Sequence, residues 1–357
     1  MSVSGSDLEM GWSPSEGIIM PDGVDEEDVF GQGAVEPVAP AQSSVFNDNS
    51  VDEVLFASSS RSDDAYKKVK QELESSGVSV SRLDPGSVEE KDGEVFLDGE
   101  PASEVDATVY LRPKRWVSVE DNDDIYRKLI DAREDGVDFY GDPQIAMIAE
   151  DKKATKNVFR SKGVGALEDF SYEEALKRVE DGEELVVKPR YNSSCGDGVE
   201  LVDSRSGLEA YGEDTLEDML VEEYLPQGSD GENADMRMIL TGKDSVRAER
   251  ADGNGVANNL SNGGEYVEPP EKSSEEQYLE EVGSEVLGDG FYSIDYIRES
   301  DGSVKVMEVN STSMTGINRE MEKDLYSSIA EGVKSTGYQA SARGSAIETG
   351  SKRTATV

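Results

Sequence analysis

Phe291-Tyr292-Ser293-Ile294-Asp295-Tyr296-Ile297-Arg298-Glu299-Ser300-Asp301-Gly302-Ser303-Val304-Lys305-Val306-Met307-Glu308-Val309-Asn310 reads as two strands around a tight turn. Asp301-Gly302 between two alternating apolar runs is a two-residue hairpin signal. With that turn Ser300 faces Ser303, and counting outward sets Asp295 directly opposite Glu308. Asn310, two positions on, falls on the same face. Like charges at opposed positions have Cβ atoms only ~5 Å apart and repel, so a positive group is expected between them. Two carboxylates and an amide oxygen suit a hard cation such as Mg²⁺ or Mn²⁺. The same pattern also fits a solvated acidic pair on an exposed face, and a register slip of one residue would undo it.

The rest of the chain narrows the choice. Its 357 residues can bury a sizeable core and divide into two or three domains. With 78 acidic against 35 basic residues the net charge is −43, which argues against nucleic acid or an anionic membrane as partner. Such an acid excess resembles the proteins of salt-accumulating halophiles, where molar salt shrinks the screening length to ~3 Å. Histidine is absent, which excludes Ser-His-Asp and Cys-His chemistry and His-ligated zinc. The single cysteine, Cys195, excludes an intramolecular disulfide and cysteine-cluster metal sites. No signal peptide and no apolar run of membrane-spanning length is visible. The expectation is a cytoplasmic protein of a halophile or of a virus infecting one.

Residues 1–48 are rich in Ser, Gly, Pro and acid and read as a disordered leader, and 337–357 as a disordered tail. Between them an α/β pattern predicts strands at Asp52 to Ala57, Val78 to Leu83 and Ala107 to Leu111, with a helix at Asp63 to Glu74. This spacing favours a small, mainly parallel sheet over 49–144. A helix is predicted from Ile145 to Ser161, with Ala154 and Val158 on its inner face, and another from Ser171 to Val179. Strands follow at Leu185 to Val187, Asp218 to Glu223 and Met236 to Leu240, then helices at Tyr278 to Leu287 and Arg319 to Val333.

Val187-Lys188-Pro189-Arg190 runs into a polar loop bearing Gly196 and Gly198. Such a loop lets backbone N–H groups approach phosphate, with Lys188 as a point charge beside it, although most Gly-x-Gly loops are simply turns.

Taken in order, these residues resemble the ATP-grasp superfamily, and among it the RimK-type carboxylate–amine ligases. The resemblance rests on Asp151-Lys152, Val186 to Arg190 with its Gly loop, Val221 to Leu225, Asp235-Met236-Arg237, Asn259-Leu260 with Gly263-Gly264, Asp295, and Glu308-Val309-Asn310. It implies an α/β (α+β) ATP-grasp fold. An N-terminal Rossmann-like domain (49–144) would precede a lid (145–222) and a C-terminal antiparallel-sheet subdomain (223–336). By the same resemblance Lys152 and Lys188, with Gly196 and Gly198, would hold nucleotide phosphates. Glu222, Glu223, Tyr224 and Leu225 would form the adenine hinge, and Asp235 would lie near the ribose. Asp295, Glu308 and Asn310 would hold Mg²⁺ or Mn²⁺, while Arg250 would steady an acyl intermediate. Arg237 joins Arg250, Lys152 and Lys188 in an expected cationic well.

The implied activity is ATP-dependent amide or peptide bond formation through an acyl-phosphate. Its substrates would be a carboxylate and an amine, a protein or peptide among them, and a homo-oligomer stays open. The chain departs from the family at Ala257, where an arginine is frequent, in the insertion Gln227 to Ala234, and at Ser311-Thr312-Ser313-Met314 after the metal asparagine. The other reading is a catalytically reduced nucleotide-binding scaffold or a virion-associated subunit of the same fold.

Overall fold

The computed structural model describes residues 11–13, 17–19, 51–57, 64–111, 119–191, 198–216, 218–226, 233–242, 244–251, 265–311 and 325–336. The Gly196 position, the Asn259-Leu260 and Gly263-Gly264 segments, Ala257 and residues 312–324 lie outside them. Within the leader, β1 (Gly11–Ser13) and β2 (Gly17–Ile19) pair as a short antiparallel ribbon.

The first layer is a parallel sheet of β3 (Glu53–Ala57), β4 (Ser79–Leu83), β8 (Thr108–Leu111) and β9 (Asp138–Tyr140), in the order β4-β3-β8-β9. Both of its faces are apolar, as buried parallel strands require. Val54, Phe56 and Tyr110 pack on Val69 and Leu73 of α1 (Asp64–Ser75) and on Leu325, Ile329 and Val333 of α9 (325–336). Ala57, Val109 and Leu111 pack on Ile125, Leu129 and Ala132 of α2 (Val119–Glu134). An antiparallel meander of β5 (Val88–Lys91), β6 (Glu94–Leu97) and β7 (Glu100–Pro101) closes that side.

A single helix from Ile145 to Ser161 is not found. Instead α3 (Pro143–Glu150) and α4 (Lys152–Ser161) are separated at Asp151, whose backbone is extended at φ −101° and ψ 104°. Its carboxylate caps α4 by accepting from the N–H groups of Lys153 at 2.9 Å and Ala154 at 3.2 Å. The buried face of α4 is also not the expected one. It carries Lys152, Thr155, Lys156 and Phe159, while Ala154 and Val158 are only half-buried.

A small antiparallel sheet follows, β10 (Leu185–Pro189) between β11 (Glu200–Val202) and β12 (Met219–Glu223). Leu185, Val187 and Val221 face Ala175 and Val179 of α5 (Tyr172–Glu180), with Leu208 of α6 (Arg205–Glu209) and Leu216 of α7 (Glu213–Leu216). Strand alternation therefore sends Lys188 and Glu222 to the opposite face.

The large antiparallel sheet has the order β15 (Glu265–Val267), β14 (Ser245–Ala251), β13 (Asn233–Leu240), β16 (Tyr292–Glu299), β17 (Val304–Asn310). One face, with Met236, Met238, Ile294, Tyr296 and Val306, is covered by Leu279 and Val282 of α8 (Ser274–Leu287) and by Phe159. The other face carries Arg250, Asp235, Arg237, Asp295, Glu308 and Asn310.

Asp295 does pair with Glu308, but not through a two-residue turn. Near the turn Tyr296 pairs with Val306 and Arg298 with Val304. The Glu299 N–H donates to Ser303 O at 2.9 Å, so the loop is Ser300-Asp301-Gly302, with Gly302 at φ +91°. A bulge between Asp295 and Tyr296 leaves Met307 extra and restores the Asp295–Glu308 register. Two departures from ideal pairing thus cancel at the site.

Candidate functional site

The two sheets meet along 165–170. The Val306 N–H donates to Gly165 O at 2.8 Å and that of Leu167 to Val306 O at 3.0 Å, adding this segment beside β17. The same segment reaches β12, where the Phe170 N–H donates to Val221 O at 2.8 Å and that of Glu223 to Glu168 O at 3.0 Å. Lys305 donates to both Glu223 oxygens, at 2.9 and 2.8 Å, across the same seam. Lys188 and Glu222 of the small sheet are thereby set against the polar face of the large one.

The start of α4 is fixed to the end of β10. Arg190 holds Asp151 with two bonds, Nε at 3.0 Å and Nη2 at 2.6 Å, and the Lys152 N–H donates to Arg190 O at 3.3 Å. The lysines beside these anchors, Lys152 and Lys188, are both buried and close enough to repel. Burial pulls the Lys152 ammonium below its ordinary value and Lys188 adds to that, while Glu308, 3.8 Å away, opposes it. Burial would lower Lys188 too, but Glu222 at 2.7 Å, then Glu308 and Asp295, outweigh it and hold it high.

Across the large sheet the charges alternate. Arg237 donates to the two oxygens of Asp295 at 2.6 and 2.7 Å, and Arg250 Nη1 reaches Asp295 Oδ2 at 3.3 Å. Arg250 Nε donates to Asp235 Oδ1 at 2.9 Å, its cross-strand partner. Burial alone would raise the Asp295 carboxyl, but the two guanidiniums dominate and hold it well below the ordinary range. The four basic residues expected to form, with a metal, a cationic well are each paired with an acid. Lys152, Lys188, Arg237 and Arg250 are matched by Glu308, Glu222, Asp295 and Asp235, in a chain whose total charge is −43.

The three residues expected to hold a divalent ion, Asp295, Glu308 and Asn310, are brought together on one face of the sheet. Asp295 and Glu308 offer only oxygen, and positive donors already fill the space around them. Asn310 Nδ2 donates to Glu308 Oε1 at 3.2 Å and to Asp295 Oδ2 at 3.5 Å, beside the Lys152 ammonium. A half-turn of the carboxamide exchanges that donor for an oxygen. Among the described residues no group of three or more Asp, Glu or Cys side chains is placed to hold a metal ion by itself.

Sequence reasoning missed Lys156. Fully buried, it donates to Glu222 Oε1 at 2.5 Å and lies 3.1 Å from Asp169 Oδ1. Its spacing from Lys152, Thr155 and Phe159 marks the inner face of α4, a signal hidden by the assumption that only apolar residues face inward. The Asp151–Arg190 pair was missed as well, although an aspartate before Lys152-Lys153-Ala154 is a capping signal. Of the residues expected to form the adenine hinge, Glu222 is buried and engaged by two lysines, while Glu223, Tyr224 and Leu225 are half-buried. Gly198 sits at φ +74° against the Pro189 ring, where a Cβ would lie 2.9 Å from Pro189 Cγ.

Residues 165–333 match the profile of the RimK-like ATP-grasp domain. No curated relative matches the sequence. Among solved structures, a RimK domain ATP-grasp protein from Sphaerobacter thermophilus DSM 20745 is 18% identical with TM-score 0.56, over 79% of this chain and 99% of that one. D-alanyl-alanine synthetase A from Vibrio cholerae is 13% identical with TM-score 0.57, over 80% and 98%. The ATP-grasp ligase PsnB, complexed with minimal precursor, Mg and ADP, is 17% identical with TM-score 0.52, over 82% and 100%. At such identities the likeness establishes the fold, which is ATP-grasp. No helix among the described residues is long and apolar enough to cross a membrane.

Proposed function

We propose, from the premise that this chain carries a RimK-like ATP-grasp domain over residues 165–333, that it is an ATP-dependent carboxylate–amine ligase. The observation that carries this reading is the convergence of Lys152 and Lys188, from separate elements, on the ribbon that pairs Asp295 with Glu308.

Lys152 and Lys188 take the nucleotide phosphates, and the backbone of Glu222 to Leu225 meets the adenine. The γ-phosphoryl passes to a substrate carboxylate oxygen as the β–γ P–O bond breaks and ADP leaves. An amine nitrogen then attacks the acyl carbon, the C–O bond to phosphate breaks, and a proton is lost to solvent. Arg237 and Arg250 face the developing negative charge on the acyl oxygen. A divalent ion held by Asp295, Glu308 and Asn310 would neutralise phosphate charge. Positioning and electrostatics suffice for such chemistry, which needs no histidine. Buried, charge-matched side chains are pre-oriented for it.

The substrate class includes peptides, in keeping with the precursor bound to PsnB. The working medium is molar salt, in keeping with the net charge of −43. ADP release with Mg²⁺ and a panel of amino acids and peptides in molar KCl tests the assignment.

A second reading is a nucleotide-binding scaffold without turnover. It is favoured by the engagement of both Asp295 oxygens by Arg237 and Arg250. Nucleotide binding with no ADP release would select it.

A further inference from the structure

We propose that Lys156 is a positioning residue for nucleotide binding, because it keeps Glu222 neutralised while Lys188 turns to phosphate. The inference rests on the reading above, in which Lys188 meets the nucleotide.

Glu222 is only 1% exposed and serves two ammonium groups with its two oxygens. Lys156 Nζ lies 2.5 Å from Oε1 and Lys188 Nζ lies 2.7 Å from Oε2. The two lysines differ in what else they can reach. Lys156 is fully enclosed, held also by Asp169 Oδ1 at 3.1 Å and by the Leu167 carbonyl at 3.4 Å. Lys188 lies on the site side, where Glu308 and Asp295 also act on it.

A carboxylate this deep with one cationic partner would resist losing it, since an unpaired buried charge is strongly unfavourable. With a second, permanent partner the first becomes exchangeable. An arriving phosphate can then draw Lys188 away, and Glu222 stays ionised and paired. Asp169 in turn is shared with Arg160 Nη2 at 2.8 Å, so Lys156 is not drawn off by it. The chain Arg160–Asp169–Lys156–Glu222–Lys188 thus runs from the surface of α4 to the phosphate side of the site.

The test is titration calorimetry of Mg·ADP into the wild-type chain, Lys156→Met, Glu222→Gln and the double variant, with thermal melts alongside. Lys156→Met should weaken binding at least tenfold, because Glu222 then keeps Lys188. In the Glu222→Gln background the same substitution should change affinity by less than threefold, a rescue that loss of packing alone would not give. An unchanged affinity in Lys156→Met, or a tenfold loss that persists in the Glu222→Gln background, overturns the inference. Should Lys156→Met fail to fold, the comparison of Glu222→Gln with the double variant decides it alone. A wild-type chain that binds no Mg·ADP overturns the functional reading itself, which is a distinct result.

Discussion

Asp295 and Glu308 face each other across the β16–β17 ribbon although the turn joining their strands is one residue longer than Asp301-Gly302 suggests. The extra residue in the loop is compensated by the bulge at Met307. Register at the site is therefore set by two local irregularities rather than by a regular ladder. Gly302→Ala, at φ +91° and with Ser273 Cβ 3.3 Å from the added carbon, should destabilise the protein by about 1–2 kcal/mol. A urea titration measures this, and an unchanged midpoint would refute the turn geometry.

Glu308→Gln keeps the shape of a side chain that is 25% exposed, so the fold should survive. Loss of its charge should reduce Mg²⁺-dependent ADP release by roughly a hundredfold or more, the scale of removing one electrostatic group from a reacting centre. Steady-state ADP formation, with circular dichroism as the fold control, reads the result. Undiminished turnover would remove Glu308 from the site.

Lys188→Ala removes one charge-assisted contact, worth about 1.5–3 kcal/mol. The dissociation constant for ATP should rise accordingly, by calorimetry at fixed salt. A constant equal to that of the wild type would detach β10 from the nucleotide.

Asp151 closes α4 and holds Arg190, so Asp151→Ala should cost about 3–5 kcal/mol, as expected when one partner of a buried pair is removed. Asp151→Asn preserves the cap, typically worth ~1 kcal/mol, and should cost measurably less. Equal losses in urea unfolding would show that the cap contributes nothing separate.

Glu276 gives a pH dependence. Burial would raise its carboxyl, but the Tyr296 hydroxyl, the Ser273 N–H and Arg247 outweigh burial and hold it below its ordinary 4.5. A depressed folded value means that its contribution is complete above the unfolded value and fades as pH falls through the lower, folded one. The stability gap between wild type and Glu276→Gln should therefore be constant from pH 7 to about 5 and shrink below that. A gap that widens on acidification would reverse the sign of the argument.

Turn signals made the ribbon legible, and short continuous apolar runs did the same for β10 and the parallel strands, because their burial follows the apolar pattern directly. What stayed hidden was polar and inward-facing. Lys152 and Lys156 point into the protein from α4, against the expectation that Ala154 and Val158 would. Ser245-Val246-Arg247-Ala248-Glu249-Arg250-Ala251 carries no clear strand signal, since it buries charge on both faces, Arg250 toward Asp235 and Arg247 toward Glu276. The helix at Val119–Glu134 was missed for a related reason. Its acidic first half masks the spacing of Ile125, Leu129 and Ala132. Side chains whose burial depends on a partner from a distant element leave little trace in their own segment.

In the proposed function a divalent ion and nucleotide phosphates share the space among Asp295, Glu308, Asn310, Lys152 and Lys188. A crystal structure grown with Mn²⁺ and a non-hydrolysable ATP analogue tests this directly through the anomalous signal of the metal. The account predicts a peak ligated by Asp295, Glu308 and Asn310, with phosphate oxygens on both lysines. Mn²⁺ bound elsewhere, or phosphates that leave Lys152 and Lys188 untouched, would contradict it.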